Sequence, residues 1–505
     1  MAIHVINEAK RCLNCKKPMC REGCPIHTPI PDMIHTFLEG DINQAGEMVF
    51  ENNPLSIVCS LICNHENQCE GHCVLNRKGS PVHISSIENY ISENYFDKLS
   101  FSGIEKNGLK AGIIGSGPAG ITIAVILAQR GYDITIFESR EKIGGVLRYG
   151  IPEFRLPKSI LERYKEKLIE LGIKIRPNTA IGTTISVDDM FRDGYSAIFI
   201  GTGVWKPNTL HIKGETLGNV HYAINYLTNP DVYRLGDTVN IIGAGNSAMD
   251  VARTALRHGA KKVTVFSRSD HLAASQREVD YAKIDGVEFV VHVEPVEIVD
   301  DGVIFVELEC DGKGNLSPIR GTENLYQADS TIIAISQGPK DRIVSTTTGL
   351  EVNEKGLLVT NTFGETTRDG IFASGDVVRG AKTVVEAVAY SKQVADAMDD
   401  YMKFNARKRF INSGGQFVYN LKGVPFRYSF LVFHKTFHFF NCILAYIMLN
   451  LASLFFGIIF GNMKNIYKEF FNHRMTVIYC LTELKTLFRK NYIAVRLVRN
   501  KTLLF

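Results

Sequence analysis

The chain has 505 residues, enough for about three domains, because single hydrophobic cores stop growing well below this length. Its net charge of +4 averages two unlike parts: residues 404–505 carry fifteen Lys and Arg against two acids, which leaves 42 basic and 51 acidic residues, a net of −9, in residues 1–403. An acidic body of this kind, without a basic stripe, argues against nucleic-acid binding.

Eight of the eleven cysteines lie within the first 73 residues, in two groups. The first group is Cys12, Cys15, Cys20 and Cys24, and the second is Cys59, Cys63, Cys69 and Cys73. The spacing C-x2-C-x4-C-x3-C-P of the first group resembles the bacterial iron–sulfur run, whose last cysteine binds a different cluster from the first three. We therefore predict that this region binds iron–sulfur clusters.

Disulfides, structural zinc and buried free thiols are the competing interpretations of these cysteines. Disulfides are typical of small secreted domains, whereas the N-terminal MAIHVINEAKRC has no apolar signal segment. Zinc sites usually show paired C-x2-C elements, and only Cys12 and Cys15 form one. Clusters of this kind are sensitive to oxygen, so we expect a protein of the reducing cytoplasm.

A dinucleotide-binding pattern follows at residues 110–138. A short apolar strand at 112–114 leads into a glycine loop, then an apolar helix, then a second strand that ends at Glu138. The loop residues expected to contact the cofactor are Gly115, Gly117, Pro118, Ala119 and Gly120. Glycines let the backbone approach a pyrophosphate, the helix N-terminus offers N–H groups to it, and the acid accepts a ribose hydroxyl.

The same pattern recurs at residues 239–268. Its loop residues expected to contact a dinucleotide are Gly243, Gly245, Asn246 and Ser247. Allowing one extra loop residue, Ser267 takes the position of Glu138, and Arg268 follows it. An acid at this position favours NAD, whereas a hydroxyl and a guanidinium suit the 2′-phosphate of NADP. The sequence favours NADP and leaves NAD open, because Arg268 could also be a solvated charge.

Two more apolar strands, each closed by a glycine turn, lie at 197–203 and 330–339. Each follows its own glycine loop by roughly 90 residues, which predicts two tandem α/β nucleotide-binding domains, the second inserted in the first. The predicted boundaries are a helical domain at 1–105, the first dinucleotide domain at 106–229 and 338–403, the second at 230–337, and a hydrophobic, basic tail at 404–505.

From about residue 11 to residue 402 the chain resembles the small (β) subunit of bacterial glutamate synthase and its homologues. Those homologues include the N-terminal half of dihydropyrimidine dehydrogenase and the large subunit of the NADH-dependent ferredoxin:NADP oxidoreductase. The motifs that carry the resemblance are the cysteine groups, IGSGPAG at 114–120, GGVLRYGIPEFRLPK at 144–158, IGAGNSAMDVARTALRHGA at 242–260 and IFASGD at 371–376.

The resemblance implies that the first dinucleotide domain binds FAD and the second binds NADPH. It adds further FAD contacts at Gly145, Arg155, Gly375, Asp376 and Thr383. Gly375 and Asp376 would meet the ribityl and phosphate region, and Thr383 would start a helix aimed at the flavin ring. A plain turn is the alternative interpretation of Gly375 and Asp376.

The resemblance also implies two [4Fe–4S] clusters. One would be held by Cys12, Cys15, Cys20 and Cys73. The other would be held by Cys24, Cys63, Cys69 and, as a ligand that is not a cysteine, Glu88. Cys59 would then be a structural thiol. One cluster for each sequence group of four cysteines remains the alternative.

Together these features predict an NAD(P)H-dependent oxidoreductase that passes electrons from NADPH through FAD and two [4Fe–4S] clusters to a partner protein. The resemblance implies that the partner is a glutamate synthase large subunit or a ferredoxin. Hydride transfer between stacked rings needs geometry rather than an acid or a base, so we predict no catalytic side chain. A ferredoxin- or bifurcation-type reductase subunit and a non-catalytic iron–sulfur scaffold stay open.

A thioredoxin-reductase-like enzyme is excluded, because no cysteine lies between Cys73 and Cys310 to form a redox pair beside the flavin. The tail is a separate question. Residues 442–460 are nineteen residues without a charge, long enough to span a bilayer. A single span would export the basic residues that follow it, against the positive-inside tendency. Membrane contact through the tail and a non-native extension both stay open.

Overall fold

The computed structural model describes residues 4–311 and 314–412. Its last helix runs from Val384 to Asn412 and so continues past the predicted start of the tail at 404. The rest of the tail, with its apolar segment at 442–460, lies outside the described residues. Within the part that the structure describes, no helix is both long enough and apolar enough to cross a membrane.

The N-terminal domain is helical. Its helices are α1 (Val5–Ala9), α2 (Met19–Glu22), α3 (Ile30–Leu38), α4 (Ile42–Asn52), α5 (Ser56–Ile62) and α6 (Ile84–Phe96), with a 3-10 turn at Val74–Lys78. Apolar residues of α3, α4 and α6 form its core, including the fully buried Met33, Val49 and Ile87. Most of the cysteines lie in the segments between these helices.

The first dinucleotide domain begins with β1 (Lys110–Ile114), α7 (Pro118–Gln129), β2 (Asp133–Phe137), α8 (Val146–Tyr149), α9 (Lys158–Glu170), β3 (Lys174–Arg176), α10 (Val187–Arg192) and β4 (Ala197–Ile200). β1, β2 and β4 are largely apolar and buried, as expected of a parallel sheet that is covered on both faces, whereas the edge strand β3 is mostly exposed. Pro118 starts α7, where its missing N–H costs no hydrogen bond.

The second domain is inserted after β4. Its elements are β5 (Lys206–Pro207), β6 (Val220–Tyr222), α11 (Ala223–Thr228), β7 (Thr238–Ile242), α12 (Asn246–Arg257), β8 (Lys262–Phe266), α13 (Gln276–Ile284), β9 (Glu288–Val290), β10 (Val293–Val299), β11 (Gly302–Cys310), β12 (Leu316–Pro318), β13 (Asn324–Gln327), β14 (Ser330–Ile333) and β15 (Gln337–Gly338). A parallel sheet in the order β6-β14-β7-β8-β9 contains the nucleotide motif, and β10 to β13 form an antiparallel layer. Because β6 belongs to this sheet, the domain takes in residues before the predicted boundary at 230.

The chain then returns to the first domain through α14 (Arg342–Ser345), β16 (Ile371–Ala373), α15 (Asp376–Arg379) and α16 (Val384–Asn412). The first sheet has the order β16-β4-β1-β2-β3, with parallel pairing throughout. The chain enters and leaves the second domain through the antiparallel pair β5 and β15. Ser336, just before β15, has φ +72°, a left-handed conformation that favours glycine.

In the described residues, one hydrophobic core is shared by two domains, and the second dinucleotide domain has cores of its own. One core joins the helical domain to the first dinucleotide domain, since Leu55 and Phe96 of the former pack in one cluster with Tyr164 of the latter. The two cores of the second domain are built entirely from residues 210–335. The second domain is therefore joined to the rest of the described chain by polar contacts more than by a shared core.

Candidate functional site

The first glycine loop has a sharp turn at the carboxyl end of β1. Gly115 has φ +98°, and a Cβ there would lie 2.5 Å from the carbonyl oxygen of Gly201. A Cβ on Gly120 would lie 2.0 Å from the carbonyl oxygen of Gly115. Both residues must therefore be glycine for the strand, the loop and α7 to fit together.

Packing within the protein does not require glycine at the middle position of either loop. Gly117 has φ −73°, which any residue adopts, and its nearest neighbour for a Cβ is the Cα of Gly145 at 4.0 Å. Gly245 in the second loop has φ −86°, and a Cβ there would meet no atom within 4 Å. Both lie at a helix N-terminus, where space beside unpaired N–H groups suits a pyrophosphate. The two loops therefore fit dinucleotides.

A cavity of about 330 Å³ lies over the first loop. The predicted FAD contacts that line it are Gly115, Gly117, Pro118, Ala119, Glu138, Gly145, Gly375, Asp376 and Thr383. Gly120 lies beneath the loop, in contact with the strand. The structure thus brings the glycine loop and the two later motifs of the first domain to one cavity, at the carboxyl edge of the sheet where such folds bind their ligands.

Glu138 is 6% exposed and anchors the loop as well as lining the cavity. Its carboxylate accepts hydrogen bonds from the backbone N–H of Ser116 at 3.0 Å and of Arg140 at 2.8 Å. The Arg140 guanidinium lies 4.2 Å from both the Tyr149 and the Trp205 ring centres. Arg140 and Trp205 line the cavity. Sequence reasoning missed this contact, because Trp205 lies far from Arg140 in the chain and gives no local signal.

Asp376 and Thr383 also line this cavity. Burial raises the pKa of Asp376 to about 6, although the backbone N–H of Lys382 donates to its carboxylate. Thr383 caps α16: its hydroxyl accepts from the backbone N–H of Glu386 at 3.4 Å, and its own N–H donates to the Glu386 carboxylate at 3.0 Å. Thr383 and Val384 line the cavity, so α16 begins beside it, as predicted.

The second glycine loop repeats the geometry of the first. Gly243 has φ +114°, and a Cβ there would lie 2.5 Å from the carbonyl oxygen of Ala334. Asn246 and Ser247 are accessible at the N-terminus of α12. The amide oxygen of Asn246 accepts from the backbone N–H of Ser275 at 2.9 Å, which ties the loop to the start of α13.

Ser267 and Arg268 lie at the carboxyl end of β8, as predicted. The hydroxyl of Ser267 accepts from the backbone N–H of Ser269 at 3.3 Å. The Arg268 side chain is 62% exposed, and its Nε lies 3.0 Å from a carboxylate oxygen of Glu294. Arg268 is thus a partly paired cation at the position where the ribose of a dinucleotide is recognised in this fold.

Arg155 does not lie at the flavin cavity, although the resemblance implied that it would. Its guanidinium lies 2.8 Å from Asp250 and 3.2 Å from Glu278, both in the second domain. Near this contact, the Glu66 carboxylate of the helical domain accepts from the backbone N–H of Arg277 at 3.1 Å. These polar contacts join the second domain to the other two.

The cysteines are not grouped in space as they are in the sequence. Cys12, Cys15, Cys20 and Cys73 line one small cavity among apolar side chains. Burial, with the neighbouring thiols of Cys73, Cys12 and Cys15, raises the pKa of Cys20 to about 11. Four half-buried thiols around one cavity fit a [4Fe–4S] cluster, for which ligation by four cysteines is usual.

The second set consists of Cys24, Cys63, Cys69 and Glu88. Burial and then the Glu88 charge raise the pKa of Cys69, with a smaller contribution from Cys24. A hydrogen bond with Cys59, burial and then the charges of Cys59 and Glu88 raise the pKa of Cys63. Cys24 thus lies within charge range of Cys69 and Glu88, which favours the interleaved arrangement that the resemblance implies.

Glu88 differs from the other buried carboxylate nearby. The Glu70 carboxylate accepts from the N–H of Ser85 at 2.9 Å and from its hydroxyl at 2.7 Å. Glu88 is 6% exposed, and within the described chain no donor reaches its carboxylate; burial, then the Glu70 charge, raise its pKa to about 8. Among all the residues that the structure describes, no three His, Cys, Asp or Glu side chains converge closely enough to hold a single metal ion.

The second cysteine set is connected to the flavin cavity through α16. The Cys24 sulfur lies 3.3 Å from the Thr28 hydroxyl, to which the Asn52 amide donates at 3.4 Å. Lys392 of α16 donates to the backbone and side-chain oxygens of Asn52 at 2.7 and 2.8 Å. The helix that starts at the flavin cavity is therefore bonded to the residues beside Cys24.

Two protein-family models match the chain. Residues 109–391 match the family of pyridine nucleotide-disulphide oxidoreductases. Residues 2–99 match dihydropyrimidine dehydrogenase domain II, 4Fe-4S cluster. These matches agree with the helical iron–sulfur domain and the α/β flavin and nicotinamide domains described above.

Curated proteins match over most of the chain. The glutamate synthase [NADPH] small chain of Escherichia coli is 33% identical over 431 residues, 78% of this chain and 91% of the relative. The NAD-dependent dihydropyrimidine dehydrogenase subunit PreT of Salmonella typhimurium is 30% identical over 409 residues, 79% of this chain and 94% of the relative. The solved structure of Mycobacterium tuberculosis FprA in complex with NADPH shares the fold, with 17% identity, a TM-score of 0.50, and coverage of 59% of this chain and 86% of that one.

Proposed function

The chain belongs to the family of glutamate synthase small chains, which makes it an FAD- and iron–sulfur-containing NAD(P)H oxidoreductase, and we propose that it takes electrons from NADPH and delivers them through two [4Fe–4S] clusters to a larger, glutamate-forming subunit. The cofactors supply the redox chemistry, since a flavin converts a hydride into single electrons that iron–sulfur clusters carry. Because clusters of this type need a reducing compartment, the proposed location is the cytoplasm.

The observation that carries the proposal is the core shared by the helical and the first dinucleotide domains. Cys24 and Cys59 belong to the same apolar cluster as Ile113 and Ala119, which lie at the flavin loop. A continuous packed core fixes the separation between the flavin cavity and the second cysteine set. Transfer of single electrons between two bound cofactors needs such a fixed arrangement, whereas a non-catalytic scaffold would not.

The proposal is tested on anaerobically purified protein mixed with NADPH and cytochrome c, a protein-sized one-electron acceptor whose reduction potential lies above that of NADPH. Reduction of cytochrome c, together with bleaching of the flavin absorbance by NADPH, is the expected result. Flavin bleaching without cytochrome c reduction would contradict electron transfer through the clusters. No bleaching at all would contradict the assignment of the nicotinamide site.

The preference for NADPH rests on Arg268. The two curated relatives differ here, since one is named for NADPH and the other for NAD. Arg268 is mostly exposed and pairs with Glu294 through Nε, which leaves its terminal nitrogens to donate to a 2′-phosphate. With Ser267 in place of an acid, no carboxylate at that position opposes the phosphate.

Arg268→Ala is therefore expected to lower kcat/KM for NADPH by roughly ten- to a hundredfold, as a hydrogen bond between charged groups is worth about 1.5–3 kcal/mol. The kcat/KM for NADH should stay within a factor of about two, because NADH has no 2′-phosphate. Lys262→Ala is the control: this exposed lysine starts the same strand and pairs with Glu288. An unchanged ratio of the two constants in Arg268→Ala would contradict the role.

Arg155 is expected to hold the second domain in place for hydride transfer. Arg155→Met removes the ion-pair partner of the buried Asp250, whereas Glu278 keeps its second partner, Arg253; breaking a buried pair costs about 3 kcal/mol. Backbone hydrogen exchange in β5 and β15, which connect the two domains, should become at least about tenfold faster. Arg148→Met is the control, because the Arg148–Glu162 pair lies within the first domain. Equal exchange in both variants would contradict this role.

A further inference from the structure

The first cysteine set lies beneath an exposed surface that combines apolar and basic side chains. Leu13 is 61% exposed and Met19 is 41% exposed, and both line the cavity formed by Cys12, Cys15, Cys20 and Cys73. The four thiols are only half-buried. The second set, with Cys24 and Cys69 buried, lies deeper, against the flavin domain. The first set is therefore where electrons would reach the surface.

The charge of this surface is unlike that of the body. Residues 1–403 have a net charge of −9, yet the twelve residues from 10 to 21 contain five cations and no acid. The exposed cations in the segments that flank these cysteines are Lys10, Lys16, Lys17, Arg21, Arg77 and Lys78. In the described chain none of these six forms an ion pair, whereas Arg11 is paired with Glu8. Unpaired cations around an exposed apolar pair are typical of a protein docking surface.

We propose that this surface, which we call the Leu13 face, docks an acidic redox protein that accepts electrons one at a time from the first cysteine set. The Leu13 face comprises Leu13, Met19 and the six cations given above. Leu13 and Met19 would form the desolvated centre of the contact, and the lysines and arginines its rim. The inference rests on the proposed function, which supplies the electrons.

The electron balance of NADPH oxidation sets how many acceptor molecules are reduced. Each NADPH gives up a hydride and becomes NADP⁺, and the hydride is released as two electrons and one proton. Two one-electron acceptors are then reduced for each NADPH oxidised. A negatively charged acceptor would be steered to the Leu13 face, and this steering weakens with salt, because the Debye length falls from about 10 Å at 0.1 M to about 3 Å at 1 M.

The probes are two one-electron acceptors of opposite charge, an acidic Rieske-type [2Fe–2S] ferredoxin and basic cytochrome c, both with reduction potentials above that of NADPH and each mixed anaerobically with it. At low salt we expect faster reduction of the ferredoxin, at a rate that falls about tenfold on raising the salt concentration to about 0.5 M. The double variant Lys16→Glu/Lys17→Glu should slow ferredoxin reduction by about tenfold and speed cytochrome c reduction. The rate at which NADPH bleaches the flavin should not change.

Lys165→Glu/Lys174→Glu is the matched control, because it changes the net charge equally on exposed lysines of the first dinucleotide domain. Equal effects of the two double variants on ferredoxin reduction would overturn the proposal. The proposal would also be overturned if Lys16→Glu/Lys17→Glu changed the sedimentation of the protein without changing the rate of ferredoxin reduction. That result would assign the Leu13 face to contacts between two copies of this chain. Failure of NADPH to bleach the flavin of the unaltered protein would instead reject the proposed function.

Discussion

Gly245→Ala is expected to lower kcat/KM for NADPH by at least about 100-fold while leaving the flavin content unchanged. The backbone at Gly245 has an ordinary φ of −86°, and a Cβ there would meet no protein atom within 4 Å. The substitution therefore costs the folded chain nothing through strain or overpacking. The added methyl group does occupy the space at the N-terminus of α12 where a pyrophosphate must approach the backbone.

The measurement is the rate at which NADPH bleaches the bound flavin, recorded with the flavin content and the melting temperature of the same sample. Gly117→Ala is the reciprocal variant, since Gly117 occupies the same position in the first loop and also has an ordinary φ. It should lose FAD during purification while keeping the ability to bind NADPH. If Gly245→Ala reacted normally with NADPH, the pyrophosphate would not lie over this loop.

The glycine loops were predictable because each is a local pattern. A strand, three small residues at fixed spacing and a helix occupy a short consecutive stretch, and the turn conformation follows from φ values that only glycine adopts readily. The sequence could not say which glycines serve the fold and which serve the ligand. The structure separates them: a Cβ on Gly115 or Gly243 would lie 2.5 Å from a backbone carbonyl oxygen, whereas a Cβ on Gly117 or Gly245 would have no protein atom closer than 4.0 Å.

Arg155 shows why the remaining contacts could not be predicted. The resemblance implied, through the GIPEFR motif, that Arg155 contacts FAD as Gly145 does, and Gly145 does line the flavin cavity. Its partners Asp250 and Glu278 lie much later in the sequence, in the second dinucleotide domain. No local sequence pattern specifies how that domain is oriented relative to the first. Arg140, between Tyr149 and Trp205, was missed for the same reason.

The assignment of the cysteines to clusters could be predicted only in part from the sequence. Their number and spacing predicted iron–sulfur chemistry, but spacing alone allowed either one cluster for each sequence group or an interleaved arrangement. The chain fold favours the interleaved arrangement, because it places Cys73 in one cavity with Cys12 and Cys20, and Cys24 within charge range of Cys69.

Glu88→Ala is expected to abolish the second cluster and, with it, reduction of any acceptor beyond the flavin. With two [4Fe–4S] clusters the protein should contain about eight iron atoms per chain, and the variant about four. The Glu88 carboxylate is buried, and no donor reaches it within the described residues, so its removal breaks no protein hydrogen bond. Because an unpaired buried carboxylate is costly, the metal-free variant should be at least as stable as the metal-free parent.

Cys59→Ala is the matched control, because Cys59 is equally buried, lies in the same region and hydrogen-bonds to Cys63 without belonging to either proposed ligand set. It should retain about eight iron atoms and both cluster signals in the EPR spectrum of the reduced protein. NADPH should bleach the flavin in both variants, while cytochrome c reduction is lost only in Glu88→Ala. The reverse outcome, with iron lost from Cys59→Ala and retained in Glu88→Ala, would assign one cluster to each sequence group and reject the interleaved arrangement.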